Sequence, residues 1–240
     1  MCFHYSLKNK SRKKQVTVEV LFSQQEMTFD SKIHVNGFAN PVMPVITNSN
    51  SEQISFFSWG LIPSWTKSTS DAQKIRQMTL NAKSETIFEK PSFRNNIQSK
   101  RCLIPATGFF EWHTCNNKKY PFYISLKNDE VFMFAGVWDS WTDKQSGTIL
   151  NTYSIITTEA NELMAKIHNE KHRMPLILSS ENEVLWLSKD LKNNDILALM
   201  KPFSAFEMKA HPISRQISSK QTNMPDEELL NPFSYPELEF

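Results

Sequence analysis

Short apolar runs, most of them bounded by turn residues, dominate the hydrophobic pattern of the chain. The runs that predict strands lie at residues 54–59, 102–105, 120–126, 131–137 and 152–156. Residues 116–118 and 128–129 are typical of hairpin turns, because Asn and Asp tolerate the left-handed backbone that such turns require. Turns of this length are too short for the crossovers that parallel strands need. The pattern therefore favours a mainly antiparallel sheet.

Helical patterns are fewer than strand patterns. Residues 82–89 suit a helix that ends before Pro91. Ser180 and Glu183 have capping-box spacing ahead of a helix at 184–187, and residues 16–20 fit a strand or a short helix equally well. We therefore predict an α+β fold, with a largely antiparallel, barrel-like β core and peripheral helices in a single domain over residues 1–215. Residues 216–240 are expected to form a polar, loosely held C-terminal tail.

Composition places the chain among ordinary globular proteins. Of its 240 residues, 40% are hydrophobic and 22% are charged, which excludes the disordered class. No stretch reaches the roughly 18 uncharged apolar residues that a membrane helix requires, and the N-terminus lacks the apolar segment of a secretory signal. A cytoplasmic protein without a membrane partner is expected. The net charge of +2 neither requires nor excludes nucleic acid, although residues 8–14 carry a basic cluster.

The cysteines predict reactivity rather than crosslinks within the chain. Cys2, Cys102 and Cys115 are widely spaced and form no Cys-x-x-Cys pair, so no zinc site or disulfide framework is predicted and no metal or cofactor is expected. Removal of Met1 would leave Cys2 with an α-amine and a thiol, whose ordinary pKa values are about 8 and about 8.5. Such a pair can capture an aldehyde as a Schiff base that the thiol closes to a thiazolidine. Alone, a cysteine at position two is more often incidental.

Four other polar residues have both a catalytic and a structural interpretation. Glu111 lies among three aromatic residues, where its carboxyl group is either desolvated for proton transfer or turned to solvent. Asn81 either caps a helix or aims its amide at a reacting group. His168 and His172 are both candidates for acid–base chemistry or for surface positions without a role.

A nucleic-acid surface is a further hypothesis. Trp59 and Trp65 lie at the two ends of one loop, where their rings either stack on unpaired bases or pack in the core. The cations that are candidates for phosphate contacts are Lys67, Lys83, Arg94, Arg101 and Arg173.

Together these segments resemble the SRAP family, the SOS-response-associated peptidases or abasic-site-processing proteins. The matches follow the family's order and cover most of residues 1–215. They are Met1-Cys2, residues 59–65, residues 81–86, Phe93-Arg94, residues 101–112, residues 157–161 and Arg173-Met174-Pro175.

The resemblance implies a DNA–protein crosslinking, lyase-like enzyme of the DNA damage response that acts on abasic sites in single-stranded DNA. Cys2 would form the thiazolidine with the ring-opened sugar, Asn81 would orient Cys2, Glu111 would move protons, and His168 would act on the sugar. The implied DNA-binding residues are His4, Trp59, Trp65, Lys83, Arg94 and Arg173. We expect a monomer in the bacterial cytosol or nucleoid, and the family's peptidase name reflects a proposed self-removal of Met1.

Three segments depart from the family's pattern. Phe3 and His4 follow Cys2 where Gly-Arg is usual, so His4 stands in place of an arginine. Lys83 stands where arginine is common and keeps the charge without the bidentate fork. The family's histidine usually lies at the position of Lys171; we favour His168 for that role, with His172 as the alternative.

Two other functions use the same residues. A thiol or N-terminal-nucleophile peptidase shares Cys2 and His168, and turnover of a peptide other than Met1 itself would favour it. A non-catalytic reader of single-stranded or modified DNA needs only the basic and aromatic surface. Its binding would depend on salt and be indifferent to substitution of Cys2.

Overall fold

The computed structural model describes residues 2–8, 15–20, 25–219 and 228–238. Within these residues the chain forms fifteen strands and five α-helices, joined by turns and short 3-10 helices. The strands are β1 (His4–Leu7), β2 (Gln15–Val20), β3 (Gln25–Asp30), β4 (Lys32–Asn36), β5 (Val42–Thr47), β6 (Asn50–Trp59), β7 (Asn81–Lys83), β8 (Arg101–Ala106), β9 (Gly108–Cys115), β10 (Lys118–Leu126), β11 (Phe132–Thr142), β12 (Ile149–Glu159), β13 (Arg173–Pro175), β14 (Ile177–Leu178) and β15 (Met208–Pro212). The helices are α1 (Thr69–Met78), α2 (Asn96–Ser99), α3 (Glu162–Ile167), α4 (Ser180–Leu187) and α5 (Asn193–Leu199).

A closed five-stranded barrel forms the centre of the molecule. Its strands follow the order β12, β6, β5, β8 and β11, and β11 pairs back with β12 to close the ring. Every neighbouring pair is antiparallel except β6 and β12, which run parallel where Tyr153 faces Trp59. The α+β class with an antiparallel, barrel-like core is therefore confirmed.

A second sheet carries the N-terminal strand in its interior. Its order is β15, β10, β9, β1 and β4, so β1 is hydrogen-bonded on both sides. The β9–β10 hairpin turns at Asn116 and Asn117, whose φ angles of 49° and 59° are those of the predicted tight turn. The Tyr5 ring of β1 lies 5.8 Å from the Phe134 ring of the barrel, centroid to centroid, so the two sheets share one core.

The helix predicted at residues 82–89 is wrong. Asn81–Lys83 form β7, which runs parallel to Ile155–Thr157 of β12, and a single 3-10 turn follows at Ser84–Thr86. Pairing with the barrel overrides the local helical pattern. Asn81 is consequently the first residue of a strand, which rules out the alternative that it caps a helix.

The C-terminal third differs from its prediction in two details. Helix α4 begins at Ser180 itself, so its N-cap is Ser179, one residue earlier than predicted. The tail is not loosely held where it is described, because Leu229 and Leu230 are buried against the second sheet. Most of the predicted basic cluster near the N-terminus lies outside the described residues. Within the described residues, no helix is long and apolar enough to cross a bilayer.

Candidate active site

Strand β1 carries Cys2 to the middle of β9. Tyr5 faces Phe109 in the β1–β9 ladder, and extending that antiparallel register by two residues places Phe3 opposite Glu111. Cys2 is fully buried, and its thiol donates to the carbonyl oxygen of His4 at 3.5 Å. Burial raises the pKa of the Cys2 thiol, and the nearby Glu111 carboxylate raises that pKa further. The thiol is therefore held in its protonated form beside a carboxyl group.

Of the two interpretations of Glu111, the structure shows the desolvated carboxyl group. Its side chain is buried at 4% exposure, and burial raises its pKa to about 7 from the ordinary value of 4.5. A carboxyl group with this pKa is present in both protonation states near neutral pH. It can therefore both donate and accept a proton during a reaction.

His168 faces Glu111 as a neutral base. It follows the last turn of α3, and its Nδ1 donates to the carbonyl oxygen of Arg173 at 2.9 Å. Because a carbonyl oxygen only accepts, Nδ1 carries the proton and Nε2 presents a lone pair. Nε2 lies 3.8 Å from Oε2 of Glu111, which is too long for a direct hydrogen bond. Burial lowers the pKa of His168 to about 4, so the ring is uncharged at neutral pH.

His172, the alternative histidine, lies outside this arrangement. Its side chain is exposed, and its backbone adopts a φ of 48° in the turn before β13. Of the two candidates, the fold brings His168 to Glu111.

Asn81 presents an unsatisfied buried amide. It is 8% exposed, and among the described residues neither its Oδ1 nor its Nδ2 has a hydrogen-bond partner. Leaving such a group unpaired costs on the order of 1–3 kcal/mol. A buried amide held at that cost is suited to bind a group that enters from outside the protein.

A cleft of about 440 Å³ opens beside Glu111 and His168. Its lining residues are Phe3, His4, Glu111, Trp112, Lys119, His168, Glu170, Lys171, Arg215 and Ser218. The wall is thus apolar and aromatic near β1, whereas cations line its other side.

His4 lies on the cleft wall as a neutral ring. Its Nδ1 is 2.9 Å from Nε2 of His34, and its ring meets the edge of Trp112 at a centroid distance of 5.0 Å. Burial lowers the pKa of His4 to about 4. At neutral pH the ring is therefore uncharged and does not replace the charge of the family's usual arginine.

The two loop tryptophans have different environments. Trp59 is fully buried, its Nε1 donates to the carbonyl oxygen of Leu80 at 2.8 Å, and its ring stacks beside Tyr153. The prediction that Trp59 lines the DNA path is therefore wrong, because no base can reach its ring. Trp65 is 53% exposed and remains available for stacking.

Arg173 is engaged within the protein. Its guanidinium contacts both carboxylate oxygens of Glu85, and Nη2 donates to the carbonyl oxygen of Thr157 at 2.6 Å. A phosphate could bind Arg173 only by exchange with Glu85, so the structure does not present Arg173 as the free phosphate ligand that we predicted. Lys83 is exposed on β7 opposite Thr157, close to Arg173.

Two other predicted phosphate ligands lie away from the cleft lining. Arg94 is exposed in the turn that precedes α2. Arg101 is fully buried and donates to the carbonyl oxygens of Ile97, Gln98, Trp186 and Ser188. Its interpretation as a phosphate contact is wrong, because its fork is occupied by helix ends.

The sequence interpretation missed His34, Lys119 and Arg215 as residues of the site. His34 lies on β4, Lys119 on β10 and Arg215 on a 3-10 helix, and these elements are distant from one another along the chain. No sequence motif surrounds any of the three. Only the sheet order shows that these segments meet.

In the described part of the chain, no cluster of three or more His, Cys, Asp or Glu side chains could hold a metal ion.

Comparison with known proteins gives one consistent family. The model of the family described as SOS response associated peptidase (SRAP) matches residues 1–220. The abasic site processing protein YoqW of Bacillus subtilis (strain 168) is 40% identical over 187 residues, which cover 77% of this chain and 80% of YoqW. The abasic site processing protein HMCES of Rattus norvegicus is 32% identical over 207 residues, covering 74% of this chain and 57% of HMCES.

A solved structure also matches. The crystal structure of a protein from Bacteroides thetaiotaomicron superposes with a TM-score of 0.82 at 41% identity. The match covers 97% of this chain and 100% of that one. The fold is thus that of an experimentally observed protein.

Proposed function

The chain belongs to the SOS response associated peptidase family, and on that basis we propose that it processes abasic sites in DNA. Two proteins similar to this chain, YoqW and HMCES, are named abasic site processing proteins. The proposed substrate is an abasic site in single-stranded DNA. The proposed product is a covalent link between Cys2 and the abasic sugar, which shields the lesion from strand cleavage.

The proposed reaction uses both groups of an N-terminal Cys2. Once Met1 is removed, the Cys2 amine attacks the C1′ aldehyde of the ring-opened sugar, and the resulting carbinolamine loses water to give an imine. The thiol then adds to the imine carbon while its proton passes to the nitrogen, which closes a thiazolidine. One water molecule leaves overall. With Met1 attached, the nitrogen is an amide and the reaction cannot begin.

The placement of Glu111 is the observation that carries this proposal. Its buried carboxyl group, with a pKa of about 7, lies beside the Cys2 thiol and 3.8 Å from Nε2 of His168. In its protonated form Glu111 can protonate the departing hydroxyl of the carbinolamine, and as a carboxylate it can accept the thiol proton. The lone pair of His168 can accept a hydrogen bond from a sugar hydroxyl, and the unpaired amide of Asn81 can orient the nucleophile.

Intact mass spectrometry tests the proposal directly. We expect the purified protein to lack Met1 and, after mixing with abasic single-stranded DNA, to gain the oligonucleotide mass less one water. This adduct should survive denaturation. Cys2→Ala should abolish it, and Cys2→Ser should be nearly as defective because a hydroxyl group is a poorer nucleophile than a thiol.

Cys115→Ala is the matched control. Cys115 is half-buried at the end of β9, so loss of its thiol should leave the adduct yield unchanged. An undiminished adduct in Cys2→Ala would contradict the proposed chemistry.

A further inference from the structure

The cleft has a basic rim that the proposed chemistry does not use. Lys119, Lys171 and Arg215 are exposed residues of its lining and come from β10, the turn after α3 and the 3-10 helix at Arg215–Ser218. Glu170 is the acidic residue of the same rim, and its Oε1 accepts a hydrogen bond from the Thr114 hydroxyl at 2.9 Å. Positive charge therefore prevails along the rim.

Arg215 is held in a fixed orientation. Its Nε donates to the carbonyl oxygen of Lys119 at 3.2 Å. The guanidinium carbon lies 4.4 Å from the ring centroid of Tyr120 and 5.4 Å from that of Tyr235. Because two aromatic rings and one hydrogen bond fix the guanidinium, less conformational entropy is lost when it binds an anion.

The C-terminal segment supplies part of this support. Tyr235 packs edge-on against Tyr120 at a centroid distance of 4.9 Å, and its hydroxyl donates to the carbonyl oxygen of Ile213 at 2.8 Å. The Tyr120 hydroxyl donates in turn to Oε1 of Glu237 at 2.8 Å. The Tyr120 hydrogen bond and, to a smaller extent, the charge of Arg215 lower the pKa of the Glu237 carboxyl, so this carboxylate offsets part of the Arg215 charge.

We propose that Arg215, oriented by Tyr120 and Tyr235, binds a phosphodiester that flanks the abasic sugar, with Lys119 and Lys171 beside it. The identity of the ligand as DNA rests on the proposed function. A strand that presents its sugar to Glu111 carries a phosphate on each side of that sugar. The basic rim shares the cleft with Glu111, so one of these phosphates meets it.

Non-covalent binding measured in the Cys2→Ala background tests this site apart from the chemistry. The probe is fluorescent single-stranded DNA with a stable tetrahydrofuran abasic analogue, and its anisotropy is followed over a series of salt concentrations. Arg215→Ala should weaken binding about tenfold. It should also reduce the slope of log affinity against log salt by about 0.7, the value for one lost phosphate contact on a single strand.

Two further arginine and lysine variants sharpen the result. Arg215→Lys keeps the charge, so the salt slope should stay near that of the parent while affinity falls because the planar stack is lost. Lys144→Ala is the matched control, because Lys144 is exposed and does not line the cleft. It lies in the hairpin between β11 and β12, whereas the other end of β12, at Glu159, is the end that lies opposite Arg173 in the sheet. Its affinity and slope should equal those of the parent.

Tyr235 variants test the positioning role. Tyr235→Ala should weaken binding, and its effect should largely disappear when Arg215 is already alanine. Tyr235→Phe keeps the ring against Arg215 and should restore most of the affinity. A loss of stability without a change in binding would make Tyr235 purely structural and overturn its positioning role.

The two proposals fail in different ways. An unchanged affinity and salt slope in Arg215→Ala overturns this site, even if the wild-type protein forms the adduct. Conversely, Arg215-dependent binding without any adduct in the wild-type protein supports this site and overturns the proposed reaction.

Discussion

Burial controls the protonation of Glu111. Its pKa of about 7 exceeds the ordinary 4.5, so the folded protein holds this proton more tightly than the unfolded chain does. The stability that this group contributes is fully present below about pH 4.5 and is lost as pH rises through about 7. At alkaline pH the molecule therefore carries a buried carboxylate that opposes folding.

Glu111→Gln should remove this cost. We expect the variant to equal the wild-type protein in free energy of unfolding near pH 4.5 and to exceed it by about 3 kcal/mol at pH 8. Adduct formation should slow, because an amide cannot carry the proton. Urea unfolding at both pH values measures the difference, with the exposed Glu89→Gln as control. A variant that is equally destabilised at both pH values would contradict the assignment.

Some residues of the site could be predicted from sequence because their signals are local. The aromatic neighbours of Glu111 raised desolvation as one of two interpretations, and the burial of its side chain decides for it. The sequence could not show which of Trp59 and Trp65 is buried and which is exposed, since both are tryptophans at the ends of one loop. Only the contact with Leu80, far along the chain, shows that Trp59 is in the core.

At the scale of elements, Arg101 joins two helices to the barrel. Its guanidinium donates to carbonyl oxygens at the C-terminal ends of α2 and α4, where the helix dipole favours a cation. The residue lies at the start of β8 with no exposed surface. A planar fork with several donors is needed to reach both helix ends.

Substitution of Arg101 should therefore destabilise the fold strongly. Arg101→Met should lower the free energy of unfolding by about 3–5 kcal/mol, because it leaves buried carbonyl groups unpaired. Arg101→Lys should recover only a small part, since one ammonium group cannot reach both helices. Chemical denaturation measures both variants. The exposed Arg94→Met should stay within about 0.5 kcal/mol of the wild-type value, and a fully stable Arg101→Lys would contradict the argument.

Strands bounded by turns were predictable, whereas β7 was not. The apolar runs and Asn-rich turns of β9 and β10 determine that hairpin locally. The three residues of β7 have no strand pattern of their own, and their parallel partner in β12 lies in a distant part of the chain. A local reading of residues 82–89 favours helix for that reason.

At the scale of the whole molecule, stable folding depends on β1, which lies in the interior of the second sheet. Removal of residues 2–7 would leave β9 and β4 with unpaired edges in the interior of the second sheet. We expect the truncated protein to aggregate and to lose cooperative thermal unfolding, whereas Cys2→Ala should melt cooperatively. Circular dichroism melts distinguish the two. An unchanged melting temperature in the truncated protein would show that β1 is dispensable.

The class of the whole fold followed from the number of strands and the shortness of their connections. Which strands meet to close the barrel did not follow, because the parallel contact of β6 with β12 joins strands separated by much of the chain. The set of residues that line the cleft could not be predicted from sequence for the same reason. Its walls come from β1, β9, β10 and the turn after α3, whose proximity depends on sheet order and not on any local pattern.

The two-sided ladder of β1 also determines how the molecule would resist mechanical force. In the proposed adduct, a load on the linked DNA reaches the protein through Cys2, and we consider the part of it that acts along the axis of β1. That load falls on the hydrogen bonds to β9 and to β4 at once, in shear, instead of opening one edge bond by bond. A translocating enzyme would thus have to rupture a central strand before it could extract the reacted terminus, and the link would act as a firm roadblock.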